Sequence, residues 1–154
     1  MRFVSALIAV SDVERSKAFY GDLFKQKVAL DLGWNVVFDG GFAIQQNFAW
    51  LTGLPEDSVV FRAHNLELYF EVDDFDQFLE ELALHPEIEL VHPPKKHDWQ
   101  QRVVRLYDPD GHILEIGESM AVIARRFVRE GKTIEETAAL IQHPLAVVEA
   151  MVER

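Results

Sequence analysis

The sequence predicts an α+β fold: two tandem βαβββ modules followed by a helical extension. Three observations carry this. Residues 3–12 (Phe-Val-Ser-Ala-Leu-Ile-Ala-Val-Ser-Asp) and 65–74 (Asn-Leu-Glu-Leu-Tyr-Phe-Glu-Val-Asp-Asp) are both strand-like runs ending in Val-x-Asp. Each is followed by a helical segment and then by three short strand candidates. From residue 119 the pattern changes to short capped helices.

In each module the closing aspartate, Asp12 or Asp74, suits a helix N-cap, because its carboxylate can accept from the free N–H groups of the first turn. The first helix is expected over about 13–24 and the second over about 75–84. The second carries Phe75, Phe78, Leu79 and Leu82, an i, i+3, i+4, i+7 apolar stripe. Strands are expected at 28–32, 34–38 and 42–46 in the first module, and at 89–92, 102–107 and 113–117 in the second. Residues 57–65 and His92-Pro93-Pro94 read as connections. The expected division is therefore 1–56, 57–118 and 119–154. In the last segment Ser119 caps a helix bearing Met120, Ile123, Ala124 and Phe127, and Gly131 ends it. Thr133-x-x-Glu136 is a capping box, and Pro144 suits the first position of a third helix.

At 49% apolar residues the chain can bury a core, and no apolar run is long enough to span a membrane. The N-terminus enters a strand-like segment at once, which is not the pattern of a signal peptide. Without cysteine there is no disulfide framework, thiolate metal site or cysteine nucleophile, and a cytoplasmic location fits. The net charge of −11 lies entirely in residues 1–118, with 10 basic and 21 acidic side chains, while the tail balances five against five. Such a body repels nucleic acid and anionic membrane, so neither is an expected partner. The three tail helices are arranged like a helix-turn-helix, but their neutrality points to packing on the domain or on a partner chain.

The most informative stretch is Leu-Tyr-Asp-Pro-Asp-Gly-His-Ile-Leu-Glu-Ile at 106–116. Asp-Pro-Asp-Gly forms a tight turn between two strands. On the outgoing strand Ile113 and Glu115 share one face, and His112, Leu114 and Ile116 the other. A carboxylate among core residues needs a partner. In the preceding module-opening strand, Leu66, Leu68, Phe70 and Val72 form the helix-facing side, which leaves Glu67, Tyr69 and Glu71 opposite.

The duplicated βαβββ order, the Val-x-Asp entries, Arg15-Ser16-Lys17-Ala18-Phe19-Tyr20 and Asp-Pro-Asp-Gly-His-Ile-Leu-Glu together resemble the vicinal oxygen chelate superfamily of glyoxalases, bleomycin-resistance proteins, extradiol dioxygenases and fosfomycin-resistance enzymes. The resemblance covers residues 1–118. It implies curled sheets around a cleft, a homodimer, a small-molecule ligand and, in the family's metalloenzymes, ligands on the first and last strands of each module. Carried over by position, these are Ser5, Gln45, Glu67 and Glu115. No histidine is among them, which departs from the family's working metal sites. Two carboxylates and an amide would suit a hard divalent ion such as Mg²⁺ or Mn²⁺, with Ni²⁺ a further candidate, and Glu67 or Glu115 as ligand or proton shuttle.

Without a metal, each carboxylate is expected to pair with an arginine, Arg102 or Arg105. Ligand contacts are expected from His97, Trp99 and Arg102, which sit before and at the start of the penultimate strand. Tyr69, Trp34, Phe48 and Trp50 are candidates for an aromatic pocket or for core packing. Two functions follow: a metal-free small-molecule binding protein, or a glyoxalase-like metal-dependent lyase or isomerase using Glu67, Glu115 and Gln45. A third is a ligand-sensing regulator acting through the tail.

Overall fold

The structure is a computed structural model in which residues 1–153 are described. It contains β1 (Ala6–Ala9), α1 (Val13–Asp22), β2 (Val28–Asp31), β3 (Asn35–Phe38), β4 (Phe42–Gln45), α2 (Phe48–Thr52), β5 (Glu67–Val72), α3 (Phe75–Ala83), β6 (Leu90–Lys96), β7 (Arg102–Tyr107), β8 (Ile113–Glu118), α4 (Met120–Arg129), α5 (Ile134–Ile141) and α6 (Leu145–Glu153). By internal contacts the chain divides into two compact units. The first is Met1–Leu66 with the turn Tyr107–His112, and the second is Glu67–Leu106 with the chain from Ile113 onward.

The first unit holds a four-stranded mixed sheet in the order β1-β4-β3-β2, with β1 parallel to β4. Asp12 caps α1 by accepting from the Arg15 amide at 3.0 Å, as the Val-x-Asp entry predicts. The helix turns Val13, Ser16 and Tyr20 inward. They meet Ile8, Val10, Val36, Phe38, Phe42 and Ile44, all buried. Tyr20 packs edge-on against Phe42, with ring centroids 5.0 Å apart. Asp108 and Asp110 from the Asp-Pro-Asp-Gly turn are buried in this unit. Asp108 accepts from the Tyr20 hydroxyl at 2.8 Å, and Asp110 accepts from the Ser11 hydroxyl at 2.6 Å and from Arg15 at 2.9 Å.

The second unit repeats the plan with the order β5-β8-β7-β6, β5 lying parallel to β8. Asp74 caps α3 through the Gln77 amide at 2.9 Å. Phe75, Phe78 and Leu82 are the buried face of α3, and Leu114 and Ile116 are buried in β8. The tail helices α4, α5 and α6 pack on one another around Met120, Ile123, Ala124, Ala138, Ile141 and Val148. The capping box forms in both directions: Thr133 Oγ1 accepts from the Glu136 amide at 3.1 Å, and Glu136 accepts from the Thr133 amide at 2.9 Å.

Three expectations need correction. The sheets are not curled. Each is an open four-stranded sheet, and among the described residues its outermost strands pair with no further strand. Four short strands are too few to close on themselves, since even small barrels use about eight. His92-Pro93-Pro94 is not a connection but lies inside β6, which runs along the sheet edge. Its register shifts between His92 and Lys95, so the prolines sit where ladder bonds to β7 are interrupted. Finally, residues 48–58 form α2 and a 3₁₀ turn at Glu56–Ser58, where no element is expected from the sequence. A five-residue helix is too short for its periodicity to be read. Among the described residues no helix is long and apolar enough to cross a membrane.

Candidate functional site

Strand parity places a polar array on one face of the second sheet. In the parallel register Tyr69 stands beside Glu115, and Glu71 beside Gly117. At period 2, Gln101 and Arg105 of the β7 run come to the same face. Arg105 is the hub. Its Nε donates to Glu67 Oε2 at 2.7 Å and its second terminal nitrogen pairs with Glu115 Oε2. The first terminal nitrogen lies 3.3 Å from His92 Nε2. Glu115 is 7% exposed, so the ion pair supplies the partner that a carboxylate in this position requires.

Beside this clamp runs a second chain of bonds. Trp99 Nε1 donates to Gln101 Oε1 at 2.9 Å, Gln101 Nε2 donates to the Tyr69 hydroxyl at 2.7 Å, and Tyr69 donates to Glu71 at 2.7 Å. Gln101 also donates to the Glu118 carbonyl at 3.1 Å. The His97 ring stacks on Trp99, with centroids 4.0 Å apart and planes at 8°. Burial, aided by the charges of Lys95, Arg105 and His92, lowers the His97 pKa and keeps its imidazole neutral. Burial and the bond to Glu71 push Tyr69 up to about 12, so its hydroxyl stays a donor at neutral pH.

The other residues singled out in the sequence have different settings. Arg102 is on the helix-facing side, paired with Glu118 at 3.1 Å and Asp76 at 2.7 Å, over the ring of Phe75. Trp99 packs against the apolar core of the tail helices. Ser5 and Gln45 belong to the first unit. Ser5 donates to the carbonyls of Ala6 and Gly41 at 2.9 and 3.3 Å. The buried Gln45 amide is committed to the Gln46 carbonyl at 2.6 Å and the Asn35 amide at 3.0 Å. Trp34, Phe48 and Trp50 do line a pocket in the first unit, of about 380 Å³. Gln101, Gly117 and His92 were not foreseen. Period-2 spacing from Arg105 was the available signal for Gln101. Nothing local marks His92, because the register shift in β6 sets its place.

The residues present do not fit a metal centre. The carboxylates of Glu67 and Glu115 face a guanidinium, a fixed cation that fills the electrostatic role of an ion. Among the described residues no group of three or more His, Cys, Asp or Glu is arranged to hold a metal.

Gly117 makes the Tyr69–Gln101 bond possible. A Cβ there would lie 2.5 Å from Gln101 Nε2 and 3.2 Å from Tyr69 Cε2. Gln101 is 4% exposed and cannot swing aside. Gly117→Ala is expected to cost about 1–3 kcal/mol from overpacking, read by urea unfolding. A change in Trp99 emission should accompany it, since the bond from its indole is disturbed; unchanged stability and emission would show that Gln101 is free to move.

The glyoxalase-like domain family matches residues 3–121. No curated protein matches the chain. Among solved structures, a protein of unknown function from Agrobacterium tumefaciens is 41% identical, with a TM-score of 0.67 over 77% of this chain and 94% of that one. A glyoxalase/bleomycin resistance protein/dioxygenase family enzyme from Burkholderia phytofirmans superposes with a TM-score of 0.66 at 19% identity, over 77% and 98% of the two chains. Lactoylglutathione lyase from Agrobacterium tumefaciens does so at 0.59 and 20%, over 77% and 93%. These last two share the fold alone, but the family match spans most of the chain, and the chain belongs to the glyoxalase-like domain family of the vicinal oxygen chelate superfamily.

Proposed function

We propose that the protein binds a small polar molecule on the second unit's sheet face without a metal ion. One observation carries this reading: Arg105 bridges Glu67 and Glu115, so both candidate metal-ligating carboxylates are already engaged by a cationic side chain of the protein itself. The same face offers the Tyr69 hydroxyl and the Glu67 carboxylate, half-exposed groups able to orient a ligand by hydrogen bonds, with the neutral His97 ring stacked on Trp99 nearby. His97 Nε2 is buried and has no hydrogen-bond partner among the described residues, so the groups of this array that a ligand can reach are the Tyr69 hydroxyl and the Glu67 carboxylate. Arg102 then supports the sheet from the helix side through Glu118, and Trp99 holds Gln101 against Tyr69.

A homodimer belongs to this reading. Val28 and Leu30 on the edge strand β2, with Leu32 just beyond, are 42–65% exposed, and an open apolar edge is a place for a partner. A cysteine-free chain also fits the cytoplasm.

The test is metal content. Protein purified without chelator or histidine tag, then incubated with Mn²⁺, Ni²⁺ or Mg²⁺ and desalted, is expected to retain no stoichiometric ion. Near-stoichiometric metal that disappears in Glu115→Ala would overturn the proposal and favour a metal-dependent lyase or isomerase.

A further inference from the structure

The pocket of the first unit is separate from this sheet face in sequence and in chemistry. It opens at the C-terminal ends of β1 and β4, where the chain between the two modules folds back as α2 and the following 3₁₀ turn. Its walls are aromatic. The rings of Trp34 and Trp50 stand 5.8 Å apart at 79°, making a right-angled corner, and Phe48 and Phe61 also line the pocket. Trp34 is 50% exposed and Trp50 71%, so neither indole is used up in the core. Two large exposed indoles held against each other in a concavity are costly to leave in water unless something covers them.

Charge identifies the occupant. Glu56 is the one charged side chain among the lining residues, and no lysine or arginine lines the pocket. Arg15 donates to the lining Ser11 hydroxyl but is held by the buried carboxylate of Asp110 at 2.9 Å. Aromatic faces carry negative potential and attract cations, most strongly when the cation is bulky and poorly hydrated. A corner of indole faces with a carboxylate at hand is therefore suited to an alkylated ammonium group. An anion would meet Glu56 and the ring faces with no cationic side chain to offset them, only the neutral donors of the Ser11 hydroxyl, the Gln46 and Asn47 amides and the indole N–H groups of Trp34 and Trp50. Of these, the Ser11 hydroxyl donates to Asp110, and Gln46 is oriented by its side-chain Oε1, which accepts from the Val13 amide.

We propose that the Trp34–Trp50 pocket of the first unit is a binding site for a small organic ammonium cation, with Glu56 as its counter-charge. This site is independent of Arg105 and of the sheet-face reading. A volume of about 380 Å³ leaves room for a trialkylammonium head and a short attached chain.

The probe is choline, set against its uncharged isostere 3,3-dimethylbutan-1-ol, in titrations of the full chain followed by indole emission and by calorimetry. Choline is expected to bind at least tenfold more tightly than the isostere. Trp50→Ala should abolish binding and Glu56→Gln should weaken it about fivefold. Trp50 is mostly exposed, so its loss does not threaten folding, and a matching unfolding curve checks this. Equal affinity for the isostere would reassign the pocket to neutral apolar ligands and overturn the proposal. So would the absence of choline binding at tens of millimolar, or binding that survives Trp50→Ala.

Discussion

Asp108→Ala is expected to destabilise the protein by about 3–5 kcal/mol, the range for removing one member of a buried charged network. The Asp108 side chain is fully buried and serves four donors. These are the amides of Asp110 and His112 at 2.9 and 2.8 Å, His112 Nδ1 at 2.9 Å and the Tyr20 hydroxyl at 2.8 Å. Truncation leaves all four without their acceptor and detaches the Asp-Pro-Asp-Gly turn from α1. Burial alone would raise the Asp108 pKa, but the bonds and charge of His112 and the bond from Tyr20 outweigh it, and the net shift is downward. A carboxyl whose folded pKa is depressed contributes stability above its unfolded pKa of about 3.9 and loses it as pH falls through the lower folded value. The protein's unfolding free energy should therefore decline below about pH 4, and Asp108→Asn should flatten that decline. Chemical unfolding at pH 7 and pH 3 measures both effects. A cost under about 1 kcal/mol for the alanine variant would mean that water replaces the carboxylate, as at an exposed pair.

Arg105→Ala is expected to cost about 3 kcal/mol, at the low end of the range for a broken buried pair because the arginine is 23% exposed. It leaves the buried carboxylate of Glu115 without its cation, on the same face as Glu67. The relief available to the variant is protonation of Glu115, so its stability deficit should shrink as pH is lowered. Glu115→Ala should cost less, since Arg105 keeps Glu67 and its contact with His92. Urea unfolding of both single variants and the double variant gives the coupling between the two residues. A coupling near zero would sink the claim that Arg105 and Glu115 form one unit.

The duplicated order of elements was legible because each module announces itself locally. Asp12 and Asp74 cap helices wherever an aspartate follows a strand and precedes an amphipathic run, and both caps form. The tail's capping box at Thr133 and Glu136 is legible for the same reason. Parity alone put Glu67 and Tyr69 on one face of β5, and Glu115 on the opposite face of β8 from Leu114 and Ile116, because period 2 is a property of the strand and not of its neighbours. His112, expected on the helix-facing side of its strand, bonds Asp108 rather than joining that face.

What parity could not supply was the partner. Both Arg102 and Arg105 were open as counter-charges for the glutamates, and only the pairing of β7 in the sheet decided between them. That pairing turns Arg105 to Glu67 and Glu115, and Arg102 to Glu118 and Asp76. The use of Trp99 was also decided at that level. It packs on helices that follow it by more than twenty residues, a contact with no local signature. The aromatic pocket depends on α2 and the 3₁₀ turn, elements too short to leave a periodic trace. The sequence by itself therefore determined the modules, their caps and the faces of their strands, which follow from interactions between residues a few positions apart. The tertiary structure alone decided that the sheets stay open, which arginine neutralises the glutamates and where the exposed indoles meet. Each of these depends on side chains brought together from distant parts of the chain.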